Sequence, residues 1–264
     1  MFCKILGVYW IAMALFLVYN LHKAHKKTRK CRYATPEIEK GNEPFIFHGY
    51  RGYKLPLSYL ICVIFGPIRF MLIPVIGASA LCSNLLMIGQ DREKPMSTWR
   101  KKIIQFLLYV SAVVGMHGFF AVWVSERQIE ADYSEFLGPN WKEELKNYKK
   151  PIPTIICNHS TFKDMMILTA SKWFCSYVCR EEDKKSIVGA QSIAIQNLFI
   201  QNSGSSRSLA REQLMQRQHD IQAGKFGQIC VFAEGMTSNG NYLLPFKHGA
   251  FATELPVQPI VLRY

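Results

Sequence analysis

The sequence predicts an α/β domain, with a mainly parallel sheet flanked by helices, that is preceded by N-terminal membrane helices. Long apolar runs flanked by lysine and arginine occupy the first half of the chain, and short strand-like and helical segments alternate in the second half. The 264 residues are 49% hydrophobic and 13% aromatic. That composition suits one folded domain with membrane segments and excludes a disordered or fibrous protein.

The excess of positive charge is concentrated in the first half. Lysine and arginine number 32 against 19 acids, which gives a formal net charge of +13. Residues 1–125 hold 16 basic and 5 acidic side chains, whereas residues 126–264 hold 16 and 14. Basic residues beside apolar runs are typical of the inner-leaflet face of a membrane protein. The distribution favours a phospholipid membrane as partner and argues against nucleic acid, which would be bound by a basic patch on the folded domain.

A transmembrane anchor helix is predicted for residues 1–21. Ile5 to Leu21 is an uncharged run of 17 residues, and the segment HKAHKKTRKCR with six lysines and arginines follows it. This run is near the lower length limit for a membrane span. A cleaved signal peptide would carry its charge before the apolar core. The positive-inside rule places the basic linker, residues 22–54, on the cytosolic side, or on the matrix side of a mitochondrial membrane.

Residues 55–125 are predicted to form a membrane-embedded or interfacial helical hairpin region. Residues 55–90 are apolar apart from one arginine, are broken by glycine and proline, and precede the basic segment DREKPMSTWRKK. That segment should lie on the same side as the basic linker, so the apolar region enters the membrane and returns. Residues 103–125 form a further uncharged run that either crosses the membrane or lies in its interface.

An α/β domain is predicted for residues 126–264, where strand-like and helical segments alternate. Predicted strands are residues 154–157, 174–180, 198–201 and the apolar parts of GQICVFAEG and LPVQPIVLRY, the last finishing at the chain terminus. Predicted helices are WKEELKNYKK, a segment starting near Ser160, and residues 188–197 and 206–223. This alternation favours parallel strands with helices on both faces of the sheet.

The eight cysteines and the paired histidines predict no metal site. The cysteines are scattered among apolar stretches, with no C-x-x-C pair and no cysteine–histidine set at zinc spacing. We interpret them as buried free thiols in a reducing compartment. His22 and His25 lie in a basic run with no third ligand near them, which favours a solvated cluster.

The first candidate for a site is the turn NHSTFKD, which contains His159 and Asp164. Their spacing of five residues would separate the side chains by about 140° on a continuous helix. They can meet if His159 lies in the turn before the helix and Asp164 in its first turn, and the carboxylate would then orient the imidazole and raise its basicity. Thr161 to Asp164 is also a capping box, in which Asp164 would only accept from the backbone.

The second candidate is the turn VFAEGMTSNGNYLLPFKHGAF. Glu234 and Gly235 follow an apolar strand, and Lys247 precedes a short helix that begins at His248. A glycine lets the backbone approach a ligand closely, and a lysine beside a helix start suits a phosphate. A plain hairpin turn with a solvated lysine fits the same spacing.

These segments resemble the motifs of the glycerolipid acyltransferases. NHSTFKD resembles their N-H-x-x-x-x-D block, AEG within VFAEGMTSNG resembles F-P-E-G-T, and LPVQPIVLRY resembles their last, proline-containing strand. The likeness is greatest to the lysophosphatidylcholine and lysophosphatidylethanolamine acyltransferase branch, where T-x-N-G and F-K-x-G-A-F also occur in this order. It extends from about Leu55 to the end of the chain.

The resemblance implies transfer of a fatty acyl group from acyl-coenzyme A to the free hydroxyl of a lysophospholipid or glycerol phosphate. It implies no covalent acyl-enzyme, no metal and no cofactor besides the co-substrate. His159 would be the general base and Asp164 its orienting partner. Acyl-coenzyme A is aqueous and anionic, so we expect residues 103–125 to lie in the interface. The same motifs carry over candidate substrate-binding residues: Asn158, Arg207, Glu234, Gly235, Thr237 and Lys247.

Two of the motifs depart from the family pattern at the groups that recognise phosphate. The family's proline and threonine in F-P-E-G-T are Ala233 and Met236 here, so Thr237 would have to supply the hydroxyl. The arginine expected after a short strand is replaced by Gln201 or Asn202, with Arg207 as a candidate substitute.

The alternative function is a degenerate, non-catalytic acyltransferase-like accessory subunit of a larger membrane complex. Such a subunit would contact other membrane-protein subunits and still bind phospholipid in the pocket that held the substrate of its catalytic ancestor. The altered phosphate contacts motivate this alternative. The chain also ends at Tyr264, directly after the last motif, which predicts a C-terminally short acyltransferase fold. For either function we expect an integral membrane protein of the endoplasmic reticulum or, alternatively, of the mitochondrial inner membrane.

Overall fold

Helices form the first part of the protein and an α/β domain the second. The computed structural model describes residues 2–29, 55–91, 93–116, 124–185, 189–201 and 207–263. Most of the predicted basic linker, part of the third apolar run, and Asn202 therefore lie outside the described residues.

The N-terminal helices are α1 (Phe2–Arg29), α2 (Leu55–Phe70), α3 (Ile73–Leu85) and α4 (Thr98–Val113). Within the described part of the chain, two segments are long and apolar enough to cross a membrane by length and composition: Lys4–Ala24 and Tyr59–Leu85. The second segment includes the turn between α2 and α3, which agrees with the glycine and proline breaks in the sequence.

Helix α1 packs against α2 and supplies the hydrogen-bond donors that α2 needs around its proline. Pro67 lies inside α2 and has no N–H, so the carbonyl of Val63, four residues earlier, loses its helical partner. Trp10 Nε1 donates to that carbonyl at 3.2 Å, and Tyr9 Oη donates to the carbonyl of Pro67 at 3.1 Å. Polar aromatic side chains thus satisfy the interrupted helix in an apolar setting.

Helices α3 and α4 pack together and connect the apolar region to the α/β domain. Ser79 on α3 donates its hydroxyl proton to the carbonyl of Leu107 on α4. Ile104 and Leu108, four residues apart on α4, are buried with Met87 and Ala194. The opposite face of α4 exposes Ile103 and Phe106, at 43% and 64%. Helix α4 is therefore amphipathic, with one face on the domain and the other open.

The α/β domain contains a five-stranded parallel sheet, as the alternation in the sequence predicts. Its strands lie in the order β3-β2-β4-β1-β5, and each neighbouring pair is parallel. All four residues of β1 are buried, as expected for a strand in the interior of a covered sheet. The strands are β1 (Thr154–Cys157), β2 (Ser176–Arg180), β3 (Leu198–Ile200), β4 (Ile229–Phe232) and β5 (Val257–Ile260).

Two helices of this domain precede the first strand, and the other three connect successive strands. They are α5 (Ser134–Leu137), α6 (Trp141–Asn147), α7 (Lys163–Thr169), α8 (Gly189–Ala194) and α9 (Arg207–Gln222), with 3₁₀ turns at Glu181–Lys185 and His248–Phe251. The core under the first turn contains Ile155, Leu168, Tyr177 and Cys230. Strand β5 ends at Ile260, a few residues before the predicted end at the terminus, and the segment that follows makes side-chain contacts described below.

Candidate active site

The two turns selected from the sequence lie side by side at the carboxyl edge of the sheet. Strand β1 ends at Cys157 and strand β4 at Phe232, and these two residues are partners in the parallel register. The chain therefore leaves both strands at the same level, with Asn158 and His159 next to Ala233 and Glu234. Parallel strands present their carboxyl ends at one edge, which is where ligands bind in open α/β sheets.

His159 and Asp164 are in direct contact. Nδ1 of His159 lies 2.8 Å from Oδ2 of Asp164. The same carboxylate oxygen accepts from the backbone N–H of Ser160 at 2.7 Å and of Thr161 at 3.0 Å. Asp164 has no exposed surface and lies in the first turn of α7. The orienting contact and the capping contact foreseen from the sequence are thus both present, on one oxygen atom.

The imidazole ring is held on its flat face as well as at Nδ1. His159 stacks on Phe232 with ring centroids 4.0 Å apart and planes 16° from parallel. Its side chain remains 20% exposed. A carboxylate at Nδ1 places the Nδ1 proton towards Asp164 and leaves Nε2 with a free lone pair. Among the described residues no side chain hydrogen-bonds Nε2, so this nitrogen is available to a ligand.

The Glu234 side chain connects the second turn to the first through hydrogen bonds to the backbone. Its Oε1 accepts from the backbone N–H of His159 at 3.2 Å, and its Oε2 accepts from the N–H of Leu244 at 3.1 Å. The residue is only 3% exposed. In this structure the carboxylate therefore contacts protein backbone on both oxygens and positions the backbone that carries His159.

Asn158 extends the contact between strands β1 and β5 beyond their ends. Its Nδ2 donates to the carbonyl of Leu262 at 3.0 Å, and its Oδ1 accepts from the N–H of the same residue at 2.8 Å. The two bonds tie positions that are 104 residues apart in the chain. The Asn158 side chain thus fixes the start of the first turn against the segment after β5.

Gly235 and Lys247 lie in contact across the second turn. Gly235 has a φ of +72°, a conformation that favours glycine. A Cβ atom placed there would overlap the end of the Lys247 side chain, at Nζ and Cε. The backbone N–H of Lys247 donates to the carbonyl of Ala233 at 2.8 Å. The absence of a side chain at Gly235 thus allows an exposed ammonium to lie over the backbone of the turn.

The remaining predicted residues lie at the edge of this site or outside the described part of the structure. Thr237 is exposed, and Met236 is 51% exposed. Gln201 is also exposed. Arg207 begins α9, and its side chain is not among those described.

Cys157 is excluded as an alternative nucleophile by its environment. It is fully buried directly before the first turn. Burial, reinforced by the nearby Asp164 carboxylate, raises the pKa of the Cys157 thiol to about 12. A thiol with this pKa holds almost no thiolate near neutral pH. No cluster of three metal-ligating side chains is found among the described residues.

Phe232 and Ser160 are the contacts in this site that the sequence reasoning missed. Phe232 could have been found from its place as the last residue of β4, because the register puts it beside the β1 end. Ser160 is buried against Gly240, whose φ is +78°, in the T-S-N-G segment. That packing depends on how the second turn folds back, and local pattern carries no signal for it.

Comparison with known proteins finds similar sequences over the part of the chain that holds these turns. The family model described as Acyltransferase matches residues 142–263. The chain is 24% identical to lysophospholipid acyltransferase LPEAT2 of Arabidopsis thaliana over 228 residues. This alignment covers 85% of this chain and 38% of that protein. The chain is 30% identical over 189 residues to lysophosphatidylcholine acyltransferase 1 of Rattus norvegicus, which covers 70% and 31%.

These relatives are longer than this chain. A third, lysophospholipid acyltransferase LPEAT1 of Arabidopsis thaliana, is 27% identical over 226 residues, covering 80% of this chain and 55% of that protein. The chain thus spans between about a third and a half of the length of the curated relatives it matches. No solved structure matches it significantly.

Proposed function

We propose, because the chain belongs to the glycerolipid acyltransferase family, that it transfers a fatty acyl group from acyl-coenzyme A to the free hydroxyl of a lysophospholipid. The observation that carries the proposal is the 2.8 Å contact between His159 Nδ1 and a fully buried Asp164. It fixes the imidazole so that Nε2 is the basic nitrogen, at an edge of the sheet where a substrate has access.

His159 is the general base in this reaction. Nε2 takes the proton of the lysophospholipid hydroxyl while the hydroxyl oxygen attacks the thioester carbonyl carbon. The resulting tetrahedral oxyanion collapses, the C–S bond breaks, and the coenzyme A thiolate leaves and takes up the proton from the imidazolium. Asp164 stabilises the imidazolium during the step and does not itself take the proton. No covalent acyl-enzyme, metal or further cofactor takes part in this scheme.

Recognition of the acceptor is assigned to the second turn. The Lys247 ammonium lies over Gly235, in the turn that carries Glu234, and supplies a point charge for the headgroup phosphate. Thr237 and Arg207 are candidate further contacts, and Glu234 and Asn158 act as positioning residues through the backbone they hold. The partners are therefore the phospholipid membrane, acyl-coenzyme A and a lysophospholipid, in the endoplasmic reticulum membrane or the mitochondrial inner membrane.

The test of this function uses the full chain purified in neutral detergent. Release of coenzyme A thiol from oleoyl-coenzyme A is followed with lysophosphatidylcholine, lysophosphatidylethanolamine, lysophosphatidic acid or glycerol 3-phosphate as acceptor. We expect release that depends on one of the lysophospholipids and formation of the matching diacyl product by mass spectrometry. The control is the diacyl phospholipid, which has no free hydroxyl and should give no release.

Two results would contradict the proposal. Thiol release that is equal with and without an acceptor would indicate a thioesterase. Absence of turnover with every acceptor, together with purification in a fixed ratio with other membrane proteins, would favour the accessory-subunit alternative.

A further inference from the structure

A cavity at the amino edge of the sheet, opposite the edge with the candidate active site, is lined by two positively charged side chains. It has a volume of about 60 Å³ and lies where β2 and β4 begin, between them and helices α4, α8 and α9. We call this cavity the amino-edge pocket; its polar lining includes Lys101, Gln105, Ser176, Gln196 and Arg217. A strand of four residues spans roughly 13 Å, so the pocket is separated from His159 by the length of the sheet. Its volume exceeds the roughly 10–15 Å³ that a single water needs.

The two cations are held at neighbouring positions on the pocket wall. Lys101 Nζ lies next to Gly227, at 3.3 Å from where a Cβ would stand. The Arg217 guanidinium lies over the ring of Phe226, the preceding residue, at 4.0 Å from the ring centroid. Both side chains are partly buried. Because Phe226 and Gly227 are adjacent in the chain, the ammonium and the guanidinium converge on one small volume.

The charges of this pair are only partly balanced by the protein. No carboxylate is among the described residues that line the pocket. Asp220 and Glu93 act on Arg217 from outside it, and Asp220 is already paired with Lys225 at 2.9 Å. Removal from water is the largest effect on Arg217 and lowers the pKa of its guanidinium. A guanidinium that loses hydration beside an ammonium, with no carboxylate in the pocket wall, favours binding of an anion.

The hydrogen-bonding capacity of the pair is also mostly unused. Arg217 Nη1 donates to the carbonyl of Gln196 at 3.2 Å. Gln196 has a φ of +60°, which is uncommon for a residue with a side chain. A guanidinium has five N–H donors and an ammonium three. Among the described residues, the other donors of Lys101 and Arg217 have no acceptor, which leaves a forked donor and a point charge for a tetrahedral oxyanion.

The location of the pocket indicates which anion is available to it. Lys101 belongs to α4, which packs on α3, and α3 ends the candidate span Tyr59–Leu85. Residues 91–102 hold five of the basic side chains that follow this span. The outer face of α4 exposes Ile103 and Phe106. The pocket therefore lies where basic side chains and exposed apolar ones meet, which is the chemistry of a phospholipid headgroup region.

We propose that the amino-edge pocket binds the phosphate of an anionic phospholipid and thereby fixes the α/β domain against the membrane that α3 enters. The site is separate from the one proposed for acyl transfer and does not depend on that function. Its ligand is bound and not converted. Inorganic phosphate shares the same chemistry, so the experiment must separate the two sources.

The test measures lipid binding by the full chain in neutral detergent with native mass spectrometry. The probes are dioctanoyl phosphatidylglycerol, dioctanoyl phosphatidylcholine and inorganic phosphate. The pocket variant is Lys101→Gln with Arg217→Gln. The control is Lys102→Gln with Arg211→Gln, which removes the same charge from exposed positions on the same two helices.

We expect the dissociation constant for phosphatidylglycerol to rise at least about tenfold in the pocket variant, since two charge-assisted contacts are lost. It should change less than twofold in the control. Phosphatidylcholine should bind the wild-type chain more weakly than phosphatidylglycerol, because its choline cation approaches two like charges. Should the pocket variant fail to fold, Lys101→Gln alone serves, with an expected rise of at least threefold.

Three outcomes would overturn the proposal. Equal weakening in the pocket variant and the control would indicate general charge attraction without a site. Unchanged affinity in the pocket variant would exclude Lys101 and Arg217 as the binding groups. Inorganic phosphate that binds as tightly as phosphatidylglycerol would exclude the lipid as the specific ligand.

Discussion

At the scale of single residues, Asp164 serves the local fold and the candidate chemistry with the same oxygen atom. Oδ2 accepts from the imidazole of His159 and from two backbone N–H groups at the start of α7. Those N–H groups hold the carboxylate in place, and the carboxylate in turn orients the imidazole. The sequence was compatible with a capping box or with an acid–base pair. Both interpretations use the same carboxylate, that of Asp164, three residues after Thr161. In the folded chain they are one arrangement.

Replacement of Asp164 by asparagine tests this double role. The asparagine side chain keeps an acceptor oxygen but loses the negative charge, so the helix start is weakened and the imidazolium is no longer stabilised. We expect Asp164→Asn to lower kcat for acyl transfer by at least about 10²-fold. The measurement is thiol release by the purified chain with saturating substrates.

Asp132→Asn is the matched control for that variant. Asp132 is exposed and accepts from the backbone N–H of Ser134 at 2.9 Å at the start of α5. The Asp132→Asn variant should keep kcat within twofold of the wild-type value. Equal losses in the two variants would show that helix capping, and not contact with His159, explains the effect.

The buried carboxylate of Glu234 leads to a prediction about stability. Glu234→Ala leaves the N–H groups of His159 and Leu244 without their acceptor, at about 1–3 kcal/mol for each buried group. We therefore expect the free energy of unfolding to fall by about 2–6 kcal/mol, measured by thermal unfolding in detergent. Glu212→Ala, at an exposed position of α9, should leave the unfolding midpoint unchanged. A midpoint of Glu234→Ala equal to that of the wild type would contradict the bridging role.

At the scale of elements, the turns depend on the register of strands that are distant in sequence. The apolar runs bounded by proline and glycine were sufficient to predict β1 and β4 within a residue or two, because buried parallel strands read as short continuous apolar segments. The sequence does not predict that Asn158 would meet Leu262, since that contact follows from the order of β1 and β5 in the sheet. Helix α5, at Ser134–Leu137, was also not predicted, because a single turn of four residues is too short to show a helical period.

The contact between Gly235 and Lys247 predicts an effect on substrate binding. Gly235→Ala must place a methyl group where the Lys247 side chain lies, so the ammonium is displaced from the turn. We expect KM for the lysophospholipid to rise about tenfold, the size of one charge-assisted contact, with a smaller change in kcat. Initial rates across a range of acceptor concentrations give both parameters.

Gly138→Ala is the control for backbone strain. Gly138 has a φ of +78°, and a Cβ there meets nothing within 4 Å. Gly138→Ala therefore introduces backbone strain without displacing a neighbouring side chain. If both variants raised KM equally, the effect would be strain and the position of Lys247 would not explain it.

At the scale of the whole molecule, the N-terminal helices and the α/β domain are joined through α4, which packs on α3 and buries one face on the domain. The concentration of positive charge in the first half and the apolar runs were enough to predict membrane segments, and the described helices are consistent with this. Sequence alone did not show that α4 would bury one face on the domain. That burial depends on Met87 and Ala194, which lie outside the uncharged run of residues 103–125.

The environments of buried Cys157 and half-buried Cys179 predict how the folded chain reacts with thiol reagents. Burial raises the pKa of Cys157 to about 12 and that of Cys179 to about 11. Because a raised pKa favours the neutral thiol, both remain almost fully protonated at pH 8, and the thiolate is the reactive form. We expect neither to be labelled by N-ethylmaleimide at pH 8 in the native chain and both to be labelled after denaturation. Labelling of Cys157 in the native chain, detected by peptide mass spectrometry, would contradict the burial of the first turn.

The most direct test of the central claim is the single-turnover rate of acyl transfer by His159→Ala. His248→Ala is its control, because His248 is an exposed histidine in the second turn. Loss of the general base should slow the chemical step by about 10² or more, while His248→Ala stays within threefold of the wild type. A His159→Ala rate equal to the wild-type rate, in a protein with an unchanged unfolding midpoint, would contradict the assignment of His159 as the base.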